Sequence, residues 1–248
     1  MTRIIAVAGK GGVGKTTVSS LIVQMLARSA QGTILAVDAD PNSNLADKLG
    51  IIANGSIGEV RNRMVQDPDS VPASMSKHEY MALQMQASLA EDERGIDLMV
   101  MGRPQGEGCY CFVNNVLRDS LDRMIPRYAF VLVDNEAGME HLARKTLPRA
   151  DILILVSDPS ATGIRTAMDL WSMSKDLGME VGRALLLVNN VRADLPGELL
   201  PQVEGLEVHL LPHDDVVEEA NLRGQPIAWD SDSPLFQALY SILAPALR

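Results

Sequence analysis

The sequence predicts an α/β fold, a doubly wound and mostly parallel sheet flanked by helices. Apolar runs alternate along the chain with stretches of helical period, the pattern of strand–helix units. Several of those runs are continuously apolar, as strands covered on both faces require. A glycine-rich loop joins the first run to the first helical stretch, as a phosphate-binding strand–loop–helix does.

Strands are expected at Ile4–Ala8, Thr33–Asp38, Asp97–Met101, Ala129–Asp134, Ile152–Ser157, Ala184–Asn189 and Leu206–Leu211. Helices are expected at Thr16–Arg28, Phe112–Met124, Thr162–Leu177, Val216–Leu222 and Leu235–Leu247. Gly50 to Gly95 is the least regular region, and its Met64, Met75, Met81 and Met85 read as helical core packing rather than soft-metal ligands. With 248 residues and no repeat, low-complexity tract or linker, a single domain over 1–248 is expected.

Twenty-two basic residues stand against 32 acidic ones, a net charge of −10. That balance argues against a nucleic-acid surface, which needs clustered Lys and Arg. No apolar run approaches the length of a membrane span, and the first residues read as a core strand rather than a signal peptide. The expectation is a soluble cytoplasmic protein with no membrane partner. The amphipathic stretch from Leu235 to Leu243 lacks the basic face of a lipid-binding helix and reads as packing on the sheet.

The loop is Gly9-Lys10-Gly11-Gly12-Val13-Gly14-Lys15-Thr16-Thr17. Gly9, Gly14, Lys15 and Thr16 have the Walker A spacing: glycines turn successive N–H groups toward a polyphosphate and the helix N-terminus adds partial positive charge. Lys15 is placed for the β- and γ-phosphates and Thr16 for Mg²⁺. Gly9, Gly11 and Gly14 also match a dinucleotide fingerprint, with Asp38 downstream. Lys-Thr directly after the last glycine, and a second nucleotide element further on, decide against it.

That second element is Phe130-Val131-Leu132-Val133-Asp134-Asn135-Glu136-Ala137-Gly138, a buried strand ending in an acid and running into a loop. Asp134 suits a Mg²⁺-bound water and the Gly138 N–H a γ-phosphate sensor. Between the two lies Asp38-Ala39-Asp40-Pro41-Asn42-Ser43. Asp38 reads as part of the Mg²⁺ surroundings and Asp40 as the group that orients or deprotonates the attacking water. A turn capping the helix from about Leu45 is the alternative. Asn189, Asn190 and Pro212 are candidates for the base, Asn189 being favoured slightly over Asn190. His78, His141, His209 and His213 have no metal-ligand spacing, and none is assigned to a metal.

The early Lys10 makes the loop a deviant Walker A, and with Asp38-x-Asp40 and Asp134-x-x-x-Gly138 the chain resembles the MinD, ParA and nitrogenase iron protein group of dimeric ATPases. That resemblance implies ATP hydrolysed to ADP in a homodimer, with Lys10 reaching the partner's nucleotide. Gly106-Glu107-Gly108-Cys109-Tyr110-Cys111 and the Asp134-Asn135-Glu136-Ala137-Gly138 switch are similar to the CooC family of nickel-insertion ATPases. Membership implies delivery of metal to apo nickel carbon monoxide dehydrogenase or acetyl-CoA synthase. A closed thiolate site wants four ligands. A two-fold dimer would supply them as Cys109 and Cys111 from each subunit, holding one Ni²⁺ or Zn²⁺; a pair of reduced, unliganded thiols is the alternative. Phe112-Val113 follow the cysteines where many relatives are expected to carry proline. A spatial organiser like MinD or ParA would need a membrane or DNA handle, and a cluster-bridged electron-transfer ATPase has cysteines far apart in sequence. A P-loop kinase would need an acceptor site and a lid, neither of which is identifiable.

Overall fold

Continuous apolar runs give each central strand two buried faces, and the chain covers both with helices. The computed structural model describes residues 1–29, 32–40, 42, 44–67, 71–102, 118–135, 149–229 and 233–247. The strands are β1 (Arg3–Gly9), β2 (Ile34–Asp38), β3 (Ala90–Asp92), β4 (Ile96–Val100), β5 (Phe130–Asp134), β6 (Arg149–Ser157), β7 (Glu180–Val191) and β8 (Leu206–Pro212). The helices are α1 (Lys15–Arg28), α2 (Asn44–Leu49), α3 (Ile57–Gln66), α4 (Lys77–Ala87), α5 (118–124), α6 (Ala161–Asp176), α7 (Asp215–Leu222) and α8 (Pro234–Leu247).

All the strands join one sheet in the order β3-β4-β2-β5-β1-β6-β7-β8. Among the described residues every pairing is parallel except the β3–β4 edge, which is antiparallel. Ile5 and Val7 of β1 pack with α1, α2 and α8 on one face, while Ile4, Ala6 and Ala8 pack with α3, α4 and α6 on the other. α1 is buried nearly all round, because α2 and α8 cover the side turned away from the sheet. α8 spends Leu235, Phe236, Leu239, Leu243 and Leu247 on that same core, as its amphipathic pattern predicts. Among the described residues no helix is long and apolar enough to cross a membrane.

The structure adds elements within Gly50–Gly95, the stretch expected to be irregular. α3 and α4 are each started by a capping box, Ser56 with Glu59 and Ser76 with Glu79. Met64, Met81 and Met85 are core residues, whereas Met75 is 39% exposed and lies outside both helices. Strand β7 begins at Glu180, well before the expected Ala184, and its last turn is irregular, with a register shift between Val188 and Val191.

Candidate functional site

β1 is central, with β5 and β2 on one side and β6 and β7 on the other, so the connections diverge at its C-terminal end. In open α/β sheets ligands bind at such a point. Gly9 sits there in close contact with β6: a Cβ would lie 2.2 Å from the Val156 carbonyl oxygen. Gly14 is the N-cap of α1 in the left-handed region, φ 93°, and a Cβ there would lie 2.5 Å from the Asn189 amide nitrogen. Among the described residues no side chain caps α1, and no acid occupies its first turn. Its first N–H groups and its partial positive charge are therefore directed at the loop, the arrangement that binds anions.

Lys15 is buried at the loop base, where its ammonium donates to the Lys10 carbonyl at 3.1 Å. The Lys10 side chain is exposed. Gly11, Gly12, Lys15, Thr16 and Asp40 line a cavity of about 620 Å³. Its opposite wall is Asn44, Asp47 and Lys48 of α2 with Asn221 of α7.

Asp38 and Asp134 are register partners at the ends of β2 and β5, both with no exposed surface. Asp38 gives both oxygens to the backbone: Oδ1 accepts from the Asp40 N–H at 3.1 Å and Oδ2 from the Leu45 N–H at 2.8 Å. It thereby holds the loop that carries Asp40 and the start of α2, so the geometry makes it a positioning residue for that loop. Burial pushes its carboxyl up to about 7, the Leu45 N–H opposes this, and the Asp134 charge adds to it. Asp40 is half-buried, faces the cavity and accepts the Asn42 N–H at 2.8 Å.

Asp134 is built differently. Ser19 on α1 donates to its Oδ1 at 3.0 Å, while Oδ2 is buried with no hydrogen-bond partner among the described residues. Burial pushes this carboxyl up to about 6, against the Thr16 and Ser19 hydroxyls and the Lys15 charge. A buried, unspent carboxylate oxygen beside the Thr16 hydroxyl fits the hard oxygen shell of Mg²⁺. The next residue, Asn135, ties β5 to β1 through its N–H and side-chain amide, both donating to the Val7 carbonyl, at 3.0 and 2.8 Å. Gly138, Cys109 and Cys111 lie outside the described residues.

A second cavity of about 190 Å³ adjoins the first, lined by Val13, Gly14, Asn189, Asn190, Pro212 and His213 among others. Here Asn189 and Asn190 have different surroundings. Its amide nitrogen donates to the Val13 carbonyl at 2.9 Å, bracing the phosphate loop from β7. Asn190, exposed and at φ 62°, is the amide that faces outward, and its Oδ1 lies 2.7 Å from His213 Nδ1. Pro212 pairs with Val191 at the same edge.

Sequence reasoning missed four contributors. Ser19 is one helical turn after Thr16. Asp214 caps α7, accepting from Val216 and Val217 N–H at 3.1 and 3.2 Å, and also from Leu235 N–H at 3.1 Å. Burial works against Asp214, yet the Ser233 hydroxyl and these N–H groups hold its carboxyl below the usual range. Lys48 and Asn221 complete the set. The cap had a signal in Pro212-His213-Asp214-Asp215; the other residues carry no motif. His213, Asp215 and Glu218 also bring ligand atoms within 4.8 Å of one another, a proximity that histidine spacing alone did not reveal. Glu218 is ion-paired with Arg192 at 3.0 Å.

The pattern of the AAA domain family matches residues 2–185. An ATP-binding protein of Methanocaldococcus jannaschii is 37% identical over 229 residues, covering 90% of each chain. The carbon monoxide dehydrogenase accessory protein CooC of Rhodospirillum rubrum is 29% identical, covering 97% of each chain. Among solved structures, MinD complexed with Mg-ADP from Pyrococcus horikoshii superposes with a TM-score of 0.68 at 21% identity, over 99% of this chain and 96% of that one. A ParA family ATPase from Chlorobium tepidum superposes with a TM-score of 0.71 at 19% identity, over 100% and 99%. The chain belongs to the AAA domain family and is a P-loop ATPase.

Proposed function

We propose that this ATPase is a metallochaperone that couples ATP hydrolysis to the delivery of nickel, or zinc, into an apo-metalloenzyme of the carbon monoxide dehydrogenase or acetyl-CoA synthase kind. The observation that carries the reading is the similarity to the CooC accessory protein across 97% of both chains. The Cys109-x-Cys111 pair gives the cargo metal a chemically suitable seat, shared between two copies of the chain acting as single domains in the cytoplasm.

In this reading the loop N–H groups from Gly11 to Thr17 and the Lys15 ammonium bind the phosphates of ATP and ADP. Thr16 and Asp134 would hold Mg²⁺, which when bound neutralises charge on the β- and γ-phosphate oxygens. Asp40 orients the attacking water, Asp38 holds the Asp40 loop in place, and Gly138 reports on the γ-phosphate. Lys10, at the exposed tip of the loop, completes the site of the second subunit. Asn190 and Pro212 face the base, with Asn189 behind the phosphate loop. Nucleotide state and metal affinity are then reciprocally coupled, so cargo metal tightens the nucleotide-bound dimer.

The test is Ni²⁺ and Zn²⁺ stoichiometry with mass in solution on reduced, anaerobic protein, with and without ATP, for wild type and a Cys109→Ser/Cys111→Ser double variant. One metal per dimer, lost in the double variant, is the expected result. Unchanged binding in the double variant, or none in wild type, overturns the metallochaperone and leaves an ATPase with other cargo.

A further inference from the structure

The 620 Å³ cavity has a cation on each wall. Lys15 is the one its motif announces. Lys48, on the opposite wall, lies outside any motif, yet its placement is elaborate. It is half-buried, and its ammonium donates to Asn221 Oδ1. The Asn221 amide nitrogen in turn lies 3.5 Å from the Thr17 hydroxyl, in the first turn of α1. The chain Lys48–Asn221–Thr17 thus runs from α2 through α7 to the phosphate loop.

The base of Lys48 is fixed as well as its tip. Its carbonyl accepts the Ile227 N–H at 3.2 Å, the next carbonyl, of Leu49, accepts the Trp229 indole at 3.1 Å, and Asp38 holds the other end of α2. A rigid base of this kind spares a flexible lysine much of the entropy of being positioned.

The electrostatics of Lys48 are unbalanced. Burial lowers its pKa, and the Asp134 and Asp47 charges only partly oppose the drop. Among the described residues it makes no carboxylate ion pair; its partner is a neutral amide. A partly desolvated ammonium gains most from an anion brought to it. The cavity it faces is the one onto which the α1 N-terminus opens.

We propose that Lys48 is a second phosphate-binding lysine of the nucleotide site, supplied by α2 of the same chain, and that Asn221 positions it beside Thr17. The proposal rests on the ATPase site described above. Placement next to Thr17 puts Lys48 on the polyphosphate rather than on the base. Because α2 follows the Asp38-x-Asp40 loop, Lys48 also links phosphate occupancy to the segment that carries Asp40.

The experiment compares wild type with Lys48→Met, Lys48→Arg, Asn221→Ala and Lys15→Ala. Mg-ADP affinity is read by titration calorimetry, adenosine binding by saturation-transfer NMR, and folding by thermal melts. Lys48→Met is expected to weaken Mg-ADP by about 10- to 100-fold, the value of a charge-assisted contact, without weakening adenosine. Lys48→Arg recovers most of that loss, and Asn221→Ala costs about threefold through lost pre-positioning. Unchanged Mg-ADP affinity in Lys48→Met overturns the proposal, as does equal loss for ADP and adenosine, the result of a structural role. If Lys15→Ala binds Mg-ADP as wild type does, the nucleotide site itself is wrong and the proposal falls with it.

Discussion

The phosphate end and the base end of the cleft are built by opposite means. At the phosphate end, backbone and buried side chains do the positioning: among the described residues no side chain caps the N-terminus of α1, Lys15 is buried, and Asp38 and Asp134 have no exposed surface. At the base end, Asn190, His213, Asp215 and Glu218 contact one another across a partly exposed rim. A preorganised, water-excluded site makes each charge count for more. An exposed rim tolerates change, because solvent replaces what a substitution removes. Effects should therefore fall steeply from the first region to the second.

The largest effect is expected at Asp134. Asp134→Asn keeps the size of the side chain but removes the charge of the unspent Oδ2, and kcat for ATP hydrolysis is expected to drop by about 100- to 1000-fold. Steady-state phosphate release measures it. A loss under threefold would show that the β5 acid is only a structural partner for Ser19.

The same two acids set a pH dependence. Asp38 at about 7 and Asp134 at about 6 hold protons more tightly in the folded chain than in the unfolded one. The folded state therefore binds more protons between the ordinary carboxylate range and about 7, and stability falls as pH rises through that window. Without nucleotide and Mg²⁺, Tm should rise by several degrees as pH is lowered from 8 to about 5.5. Asp38→Asn should flatten the slope, since Asp38 has the larger shift. Mg-ADP should flatten it too, because a divalent cation favours the ionised acids. A Tm that climbs with pH over the same window would contradict the burial of these carboxylates.

Legibility follows the same divide. The strand–loop–helix around the glycine-rich loop and the acids that end β2 and β5 were placed from sequence because glycine turns and strand ends are dictated by backbone geometry, and the continuous apolar runs announced all the central strands. The contact of Asn189 with the Val13 carbonyl was not legible, because a strand-end amide looks the same in sequence whether it turns toward a ligand or toward a backbone carbonyl. Ser19, Lys48 and Asn221 owe their places to contacts across the fold, for which no spacing exists. α3 and α4 are a different failure: Ser56-x-x-Glu59 and Ser76-x-x-Glu79 were present as start signals and went unread, although α3 is clearly amphipathic; only α4 lacks apolar periodicity. β3 is a three-residue edge strand formed only by pairing with β4, and local sequence does not encode it.

At the boundary between the two ends, Asn189→Ala removes the donor to Val13 O and leaves that carbonyl with one partner fewer. A loss of about 1 to 2 kcal/mol is expected, visible both in melting and in Mg-ADP affinity. Asn190→Gly, one residue away, keeps the left-handed φ of 62° without strain, so it should leave the melt nearly unchanged and alter the preference for adenine over guanine nucleotides. If the two variants behave alike, the bracing and reading roles are not divided between them.

The smallest effect belongs to His213. Its Nδ1 faces Asn190 Oδ1 at 2.7 Å and its Nε2 faces Asp215 Oδ1 at 2.8 Å and Glu218 Oε2 at 3.4 Å. Asp215 is 92% exposed and Glu218 also pairs with Arg192, so solvent and a competing cation dilute each contact. His213→Gln should therefore change nucleotide affinity by no more than about twofold, since exposed pairs contribute at most about 1 kcal/mol and water can replace them. A tenfold loss in competition binding would mean that the ring holds Asn190 in its left-handed conformation against strain, and the base end would then rank with the phosphate end as a preorganised site.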